Sequence, residues 1–286
     1  MSDFVTIFEM GPRDGLQNEK VFVPTEDKIA LVDRLSACGF RKIEVTSFVS
    51  PKWVPQMADA REVMEGIHRH PAVTYTALTP NVKGYNAAKQ VSVDEVAVFG
   101  SASEGFSTKN INCSVAESIE RFKPLIEKAH QDEMPVRGYI SCVTDCPYDG
   151  PTPPEKVAWI AKLLFDLGCY EISLGDTIGA GTPETIGRML EAVLAEVPAA
   201  KLAGHYHDTK SRALNNIEVS LEKGLRTFDA AIGGLGGCPY APGAKGNVAT
   251  EGVARLLAGR GFETGLDLTK LEEVADYARS LRSQDA

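Results

Sequence analysis

Gly168-Cys169-Tyr170-Glu171-Ile172-Ser173-Leu174-Gly175-Asp176 stands between two stretches of helical periodicity, Pro154 to Leu167 and Thr182 to Glu196. Gly168 sits where the first helix must stop, since glycine accepts the left-handed backbone that closes a helix. The run after it is too short for a helix and fits a buried strand. Working outward, the same alternation fills the chain. Strands are expected at Val5 to Met10, Lys42 to Ser47, Val73 to Thr79, Glu95 to Gly100, Val136 to Val143, Glu171 to Asp176, Leu202 to Asp208 and Thr227 to Ile232. Helices are expected between them, among others Thr25 to Cys38, Val115 to Asp132 and Ser211 to Lys223, with Thr25 read as a start signal and Gly39 and Gly224 as further stops. Eight strand-helix repeats without a linker-like break predict an α/β protein, a single (β/α)8 TIM barrel over about residues 4–262. A doubly wound sheet is the competing topology. A further helix, Thr269 to Arg282, is expected as a C-terminal appendage, so that one catalytic domain spans residues 1–286.

The bulk properties narrow the function classes. With 43% hydrophobic and 24% charged residues the chain can build a large core. Its formal charge of −9, with no dense basic run, gives no electrostatic footprint for nucleic acid. No apolar run approaches the roughly 18 residues of a membrane span. Six cysteines without tight spacing point to a reducing compartment, and with no export or import signal the expected location is the cytoplasm.

In such a barrel the chemistry gathers where strands end. Reactive residues fall there: Arg13 and Asp14 after the first strand, Glu44 in the second, Asp176 at the end of the sixth, His205 and His207 in the seventh, Cys238 and Asn247 after the eighth. Residues two apart on a strand point to one side, so the two imidazoles share a face. That is a metal-ligand spacing, although paired histidines also serve as hydrogen-bonded core groups. Adding the Asp14 carboxylate and the Asn247 amide oxygen gives two nitrogens and two oxygens, a set that suits Mg²⁺ or Mn²⁺ with open positions for substrate; ligand softness alone leaves Zn²⁺, Co²⁺ and Fe²⁺ admissible. Arg13 is placed to stabilise a developing enolate, with Glu44 orienting it or filling an inner barrel layer. Asp176 carries the same double reading. Gly233-Gly234-Leu235-Gly236-Gly237-Cys238-Pro239-Tyr240-Ala241 presents one thiol in a glycine-rich loop closed by proline. Arg13, Asp176 and Asn110 are the candidates for substrate contact; Lys20 and Lys245 could meet an anionic substrate but read more readily as solvated surface groups, an ambiguity that Asn110 and Asn112 share.

Phe8-Glu9-Met10-Gly11-Pro12-Arg13-Asp14-Gly15-Leu16-Gln17-Asn18-Glu19, His205-Tyr206-His207-Asp208-Thr209 and the Cys238 loop together resemble the hydroxymethylglutaryl-CoA lyase family, as do Ile43 to Met57, Lys109 to Ser114 and Gly168 to Gly179. The resemblance implies a metal-dependent barrel enzyme that cleaves 3-hydroxy-3-methylglutaryl-CoA to acetyl-CoA and acetoacetate, as in leucine breakdown. It implies that Asp14, His205, His207 and Asn247 hold the cation, that Arg13 faces the thioester carbonyl, that Asp14 or His205 is the base and that Cys238 is the acid or proton shuttle. An acyl-CoA thioester is the expected partner and a homodimer the expected assembly.

One departure bears on substrate. After His207-Asp208-Thr209 the family continues with Tyr-Gly-Gln, whereas this chain has Lys210-Ser211-Arg212. A lyase for a related 3-hydroxy-3-alkylglutaryl-CoA or for citramalyl-CoA is therefore one alternative. An acyl-CoA condensing synthase of the isopropylmalate or homocitrate type is another, and a catalytically silent scaffold barrel a third.

Overall fold

A computed structural model of the chain describes residues 3–19, 21–236 and 246–282. Eight parallel strands close on themselves: β1 (Thr6–Glu9), β2 (Lys42–Ser47), β3 (Thr74–Leu78), β4 (Glu95–Ser101), β5 (Val136–Ser141), β8 (Glu171–Asp176), β9 (Leu202–Tyr206) and β10 (Thr227–Ala230), with β10 pairing back onto β1. The doubly wound alternative is thereby excluded. A short antiparallel hairpin, β6 (Asp145–Cys146) with β7 (Gly150–Pro151), caps the loop after β5 and was not expected from the sequence.

The helices are α1 (Thr25–Ser36), α2 (Ala60–Gly66), α3 (Val82–Gln90), α4 (Glu104–Ile111), α5 (Val115–Gln131), α6 (Pro154–Asp166), α7 (Pro183–Leu194), α8 (Ala213–Glu222), α9 (Thr250–Gly259) and α10 (Leu268–Ser280). Their ends follow local chemistry. Capping boxes start α5, where Ser114 and Glu117 bond each other's backbone, and α7, where Thr182 and Thr185 do the same. Gly39, Gly168 and Gly224 all have φ of +96° and let the chain drop from a helix into β2, β8 and β10. Thr25 is not a cap: Pro24 holds the cap position, and the Thr25 hydroxyl donates to Asp59 instead. The strands expected to reach Val143, Asp208 and Ile232 leave the ladder at Ser141, Tyr206 and Ala230. The reason is local. Cys142 turns into positive φ, and His207 and Ala231 pair with Asn247 and Ala249 of the returning chain rather than with the next barrel strand.

Residue alternation divides the barrel wall in two. Outward side chains such as Ile43, Val45, Val96, Val98, Ile140, Ile172 and Leu174 join the large core under the helices. Inward ones include Phe8, Met10, Ala97 and Tyr139, packed as a separate small cluster. On that inner side Arg137 is fully buried between Glu171 and Asp229, 2.8 Å from each, with its guanidinium 4.4 Å from the Phe8 ring centre. Parallel strands carry every inward residue beyond this plug toward one mouth. The C-terminal helix α10 packs on α1, α9 and the turn Ile232–Gly234. Among the described residues no helix is long and apolar enough to cross a membrane.

Candidate metal centre at the barrel mouth

Beyond β1 the chain makes one wide π-helical turn, Gly11–Gly15, with Pro12 fixing its entry. That turn delivers Arg13 and Asp14 to the mouth. Arg13 Nε contacts Glu44 Oε2 from β2, and Arg13 Nη1 lies 2.6 Å from Asp14 Oδ1. Glu44 also accepts a 3.0 Å hydrogen bond from the Tyr139 hydroxyl, and the Arg13 guanidinium stands 5.6 Å from that ring's centre. Glu44 is fully buried, so it holds one fixed orientation of the guanidinium.

Asp14 is the hinge of the cluster. One carboxylate oxygen accepts from Gln17 at 2.9 Å, and the other accepts from Asn247 Nδ2 at 2.8 Å and faces His205 Nε2 at 3.7 Å. Burial by itself would raise its pKa, but Arg13 and then His205 hold it down at about 2. The opposite nitrogen of His205, Nδ1, is 3.1 Å from Asp229, whose carboxylate is itself fixed by Arg137 and by a 2.7 Å bond from Ser173. Burial works against the charged form of His205, yet the Asp229 hydrogen bond and the Asp14 charge raise its pKa above the ordinary histidine value. His207 behaves oppositely: burial, then the neighbouring His205, push it down to about 4 and keep its ring neutral. The two rings lie 5.5 Å apart centre to centre.

The donor set fits a divalent cation. Ligand atoms of Asp14, His205 and His207 all lie within 4.8 Å of one another. His207 Nδ1 is buried without a hydrogen-bond partner, a costly state for a ring nitrogen unless something binds there. Asn247, brought alongside by its bridge to His207, turns its amide nitrogen toward Asp14; service as an oxygen ligand needs a half-turn of that amide.

Of the other sequence candidates, Asp176 lies at the end of β8, where its oxygens accept from Thr144 Oγ1 at 3.1 Å, Ala180 N at 3.1 Å and Gly181 N at 2.8 Å. It thereby braces its own loop. Asn110 is exposed at the end of α4, and no bond links it to the cluster among the described residues. Cys238, Lys245 and Lys20 lie outside the described residues. Sequence reasoning missed Arg137, Tyr139 and Asp229. Their signal was present as charged or hydroxyl-bearing residues inside runs that must be buried, the same signal that picked out Glu44.

The HMGL-like family profile matches residues 4–277. A Pseudomonas aeruginosa protein named 3-hydroxy-3-isohexenylglutaryl-CoA/hydroxymethylglutaryl-CoA lyase is 58% identical over 267 residues, covering 93% of this chain and 89% of that protein. The crystal structure of the HMG-CoA lyase from Brucella melitensis matches with a TM-score of 0.97 and 63% identity, over 99% of both chains. An HMG-CoA lyase from Acinetobacter baumannii, solved in complex with coenzyme A and 3-methylmalate, matches with a TM-score of 0.94 and 36% identity, over 100% of this chain and 93% of that one.

Proposed function

The chain belongs to the HMGL-like family, and from that premise we propose that it is a lyase that cleaves 3-hydroxy-3-methylglutaryl-CoA to acetyl-CoA and acetoacetate. The observation that carries this reading is the convergence of Asp14, His205 and His207 beside a guanidinium locked by Glu44 at the mouth of the barrel. Asp14, His205, His207 and, through its amide oxygen, Asn247 would hold a divalent cation, Mg²⁺ or Mn²⁺. When bound, such a cation lowers the pKa of a hydroxyl on the substrate and neutralises its carboxylate.

The chain's own groups account for the rest. Loss of the tertiary hydroxyl proton breaks the adjacent carbon-carbon bond, its electron pair passing to the thioester as an enolate while the hydroxyl carbon becomes the ketone of acetoacetate. His205 or Asp14 takes that proton. Arg13 faces the enolate oxygen with a charge that Glu44 and Tyr139 keep from swinging, so the charge that develops meets a fixed cation. Cys238 supplies the proton that converts the enolate to acetyl-CoA. Asp176 and Asn110 are assigned to the walls that meet the acyl-CoA. The described cysteines are all free, which supports a cytoplasmic location, and a homodimer is the assembly we assign.

A second reading concerns chain length. Lys210, Ser211 and Arg212 are exposed in the turn between β9 and α8, beginning three residues beyond His207, and Ser211 holds φ of +55°. This departure follows the metal-ligand candidates in sequence and is the feature we connect with acyl-chain preference; the Pseudomonas relative is named for both substrates.

The test is turnover of chelator-stripped protein on 3-hydroxy-3-methylglutaryl-CoA, with and without added Mg²⁺ or Mn²⁺, following acetyl-CoA and acetoacetate. Cleavage restored by the metal supports the proposal. Silence on this thioester with cleavage of a longer-chain analogue selects the second reading, and silence on both removes the lyase assignment.

A further inference from the structure

Glu9 is the last residue of β1, one position after the inward-facing Phe8, so its side chain points outward, toward α9. It is completely buried there. A carboxylate in that position is costly unless its oxygens are well bonded. Three donors reach it: the backbone N–H of Gly11 at 2.7 Å and of Ile232 at 2.9 Å, both on Oε1, and the Thr250 hydroxyl at 2.6 Å on Oε2.

Two of these donors open the segments that build the site. Gly11 begins the turn that carries Arg13 and Asp14; Ile232 begins the segment Ile232–Gly236 that follows β10. A single oxygen therefore joins them. The approach is so close that a Cβ on Gly11 would lie 2.6 Å from Glu9 Oε1. The amide next to Ile232, that of Gly233, is taken at 3.1 Å by Glu251 of α9, which Arg279 of α10 holds at 3.0 Å. Farther along, the Asn247 amide N–H donates to Gly236 O at 3.3 Å and its side chain to Leu235 O at 3.4 Å. The placement of Ile232–Gly236 thus sets where Asn247 meets Asp14.

We propose that Glu9, which touches no reacting group, is a positioning residue: by clamping the amides of Gly11 and Ile232 it fixes the spacing between the Arg13–Asp14 turn and the Ile232–Gly236 segment, and with it the seat of Asn247 on Asp14. The catalytic part of this inference rests on the lyase reading. The Thr250 bond has the different task of fastening α9 to the barrel. Displacement of groups in such a shell by about 1 Å costs up to about 100-fold in rate.

Three variants separate the roles. Glu9→Gln keeps an oxygen able to accept from both amides. Glu9→Asp keeps the charge but withdraws the oxygens by one methylene. Thr250→Val leaves the clamp and cuts only the fastening of α9. Each is measured for kcat and KM on 3-hydroxy-3-methylglutaryl-CoA, for Mn²⁺ affinity by electron paramagnetic resonance, and for melting temperature. The expected result is that Glu9→Gln and Thr250→Val keep kcat and Mn²⁺ affinity within about threefold of the parent. Glu9→Asp loses about 10-fold or more in each, with KM within about threefold. The clamp is overturned if Glu9→Asp matches the parent in both readouts, or if Thr250→Val loses as much as Glu9→Asp. A parent silent on the thioester, with Mn²⁺ affinity still lost only in Glu9→Asp, defeats the lyase reading and upholds the clamp.

Discussion

Asp229 and His205 are joined at 3.1 Å through Nδ1 of the ring, which leaves Nε2 as the nitrogen that faces Asp14 at 3.7 Å. The Asp229 pKa is set by opposing effects: burial would raise it, but Arg137 and the His205 hydrogen bond hold it well below the carboxylate range. Its charge therefore persists at every working pH, and the ring keeps one tautomer.

Replacing that charge by an amide keeps the shape and weakens the anchor. For Asp229→Asn the expected outcome is a loss of about 10-fold to 100-fold in Mn²⁺ affinity, the usual effect of removing a carboxylate behind a metal-binding imidazole. Titration of the chelator-stripped variant checks it; an affinity within twofold of the parent removes Asp229 from this role.

Arg13→Lys retains one positive charge and loses the planar fork that meets Glu44 and Asp14 together. If Arg13 stabilises the enolate, kcat falls by about 100-fold or more while KM moves little, because the lost interaction belongs to the transition state. Steady-state kinetics decide this, and a rise in KM at constant kcat would instead make Arg13 a ground-state contact.

Burial raises the Glu9 pKa from the ordinary 4.5 to about 7, with the bonds from Thr250 and the amides only partly opposing it. A carboxyl whose folded pKa lies above its unfolded value favours the folded state when protonated. Its contribution is thus fully present below pH 4.5 and lost as pH rises through about 7. Relative to Glu9→Gln, the parent should lose on the order of 3 kcal/mol of unfolding free energy across that window. Urea unfolding of both proteins at pH 5 and pH 8 measures it, and parallel behaviour of the two at both values contradicts it.

Ser211 spends its place before α8 in a left-handed conformation that glycine adopts without strain. Ser211→Gly should raise stability by roughly 0.5 kcal/mol, read as a small rise in melting temperature. Combined with Lys210→Tyr and Arg212→Gln, it should shift the ratio of kcat/KM values toward 3-hydroxy-3-methylglutaryl-CoA and away from longer-chain analogues. An unchanged ratio would clear this turn of any part in selectivity.

The strand pattern was readable wherever both faces of a strand are buried. Lys42–Ser47 and Glu171–Asp176 have the bounds expected of them, because Ile43 and Val45, and Ile172 and Leu174, alternate with other residues over a run too short for a helix and closed in front by a helix-ending glycine. Strand ends were less readable, since Val143, His207 and Ile232 keep apolar or strand-like character while the backbone is redirected by the positive φ of Cys142 in one case and by pairing with the returning chain in the other two. Within the cluster, Arg13, Asp14, Glu44, His205, His207 and Asn247 could be named from position alone. Arg137, Tyr139 and Asp229 went unnamed although they carry the same signal as Glu44, because they lie within their strands whereas most of the named residues lie beyond strand ends. Glu9 escaped for another reason. Its outward face belongs by pattern to the helix-packing side, where a charged residue reads as a strand end.

The two-sided barrel wall has a consequence for how sequence variants in this chain will sort. Changes at inward positions should yield folded proteins that have lost chemistry, whereas changes at outward positions should yield proteins that lose abundance. Glu9 breaks that division. A survey that scored only expression would file a lesion there with the folding defects, and the protein that survived would still carry a displaced reaction centre.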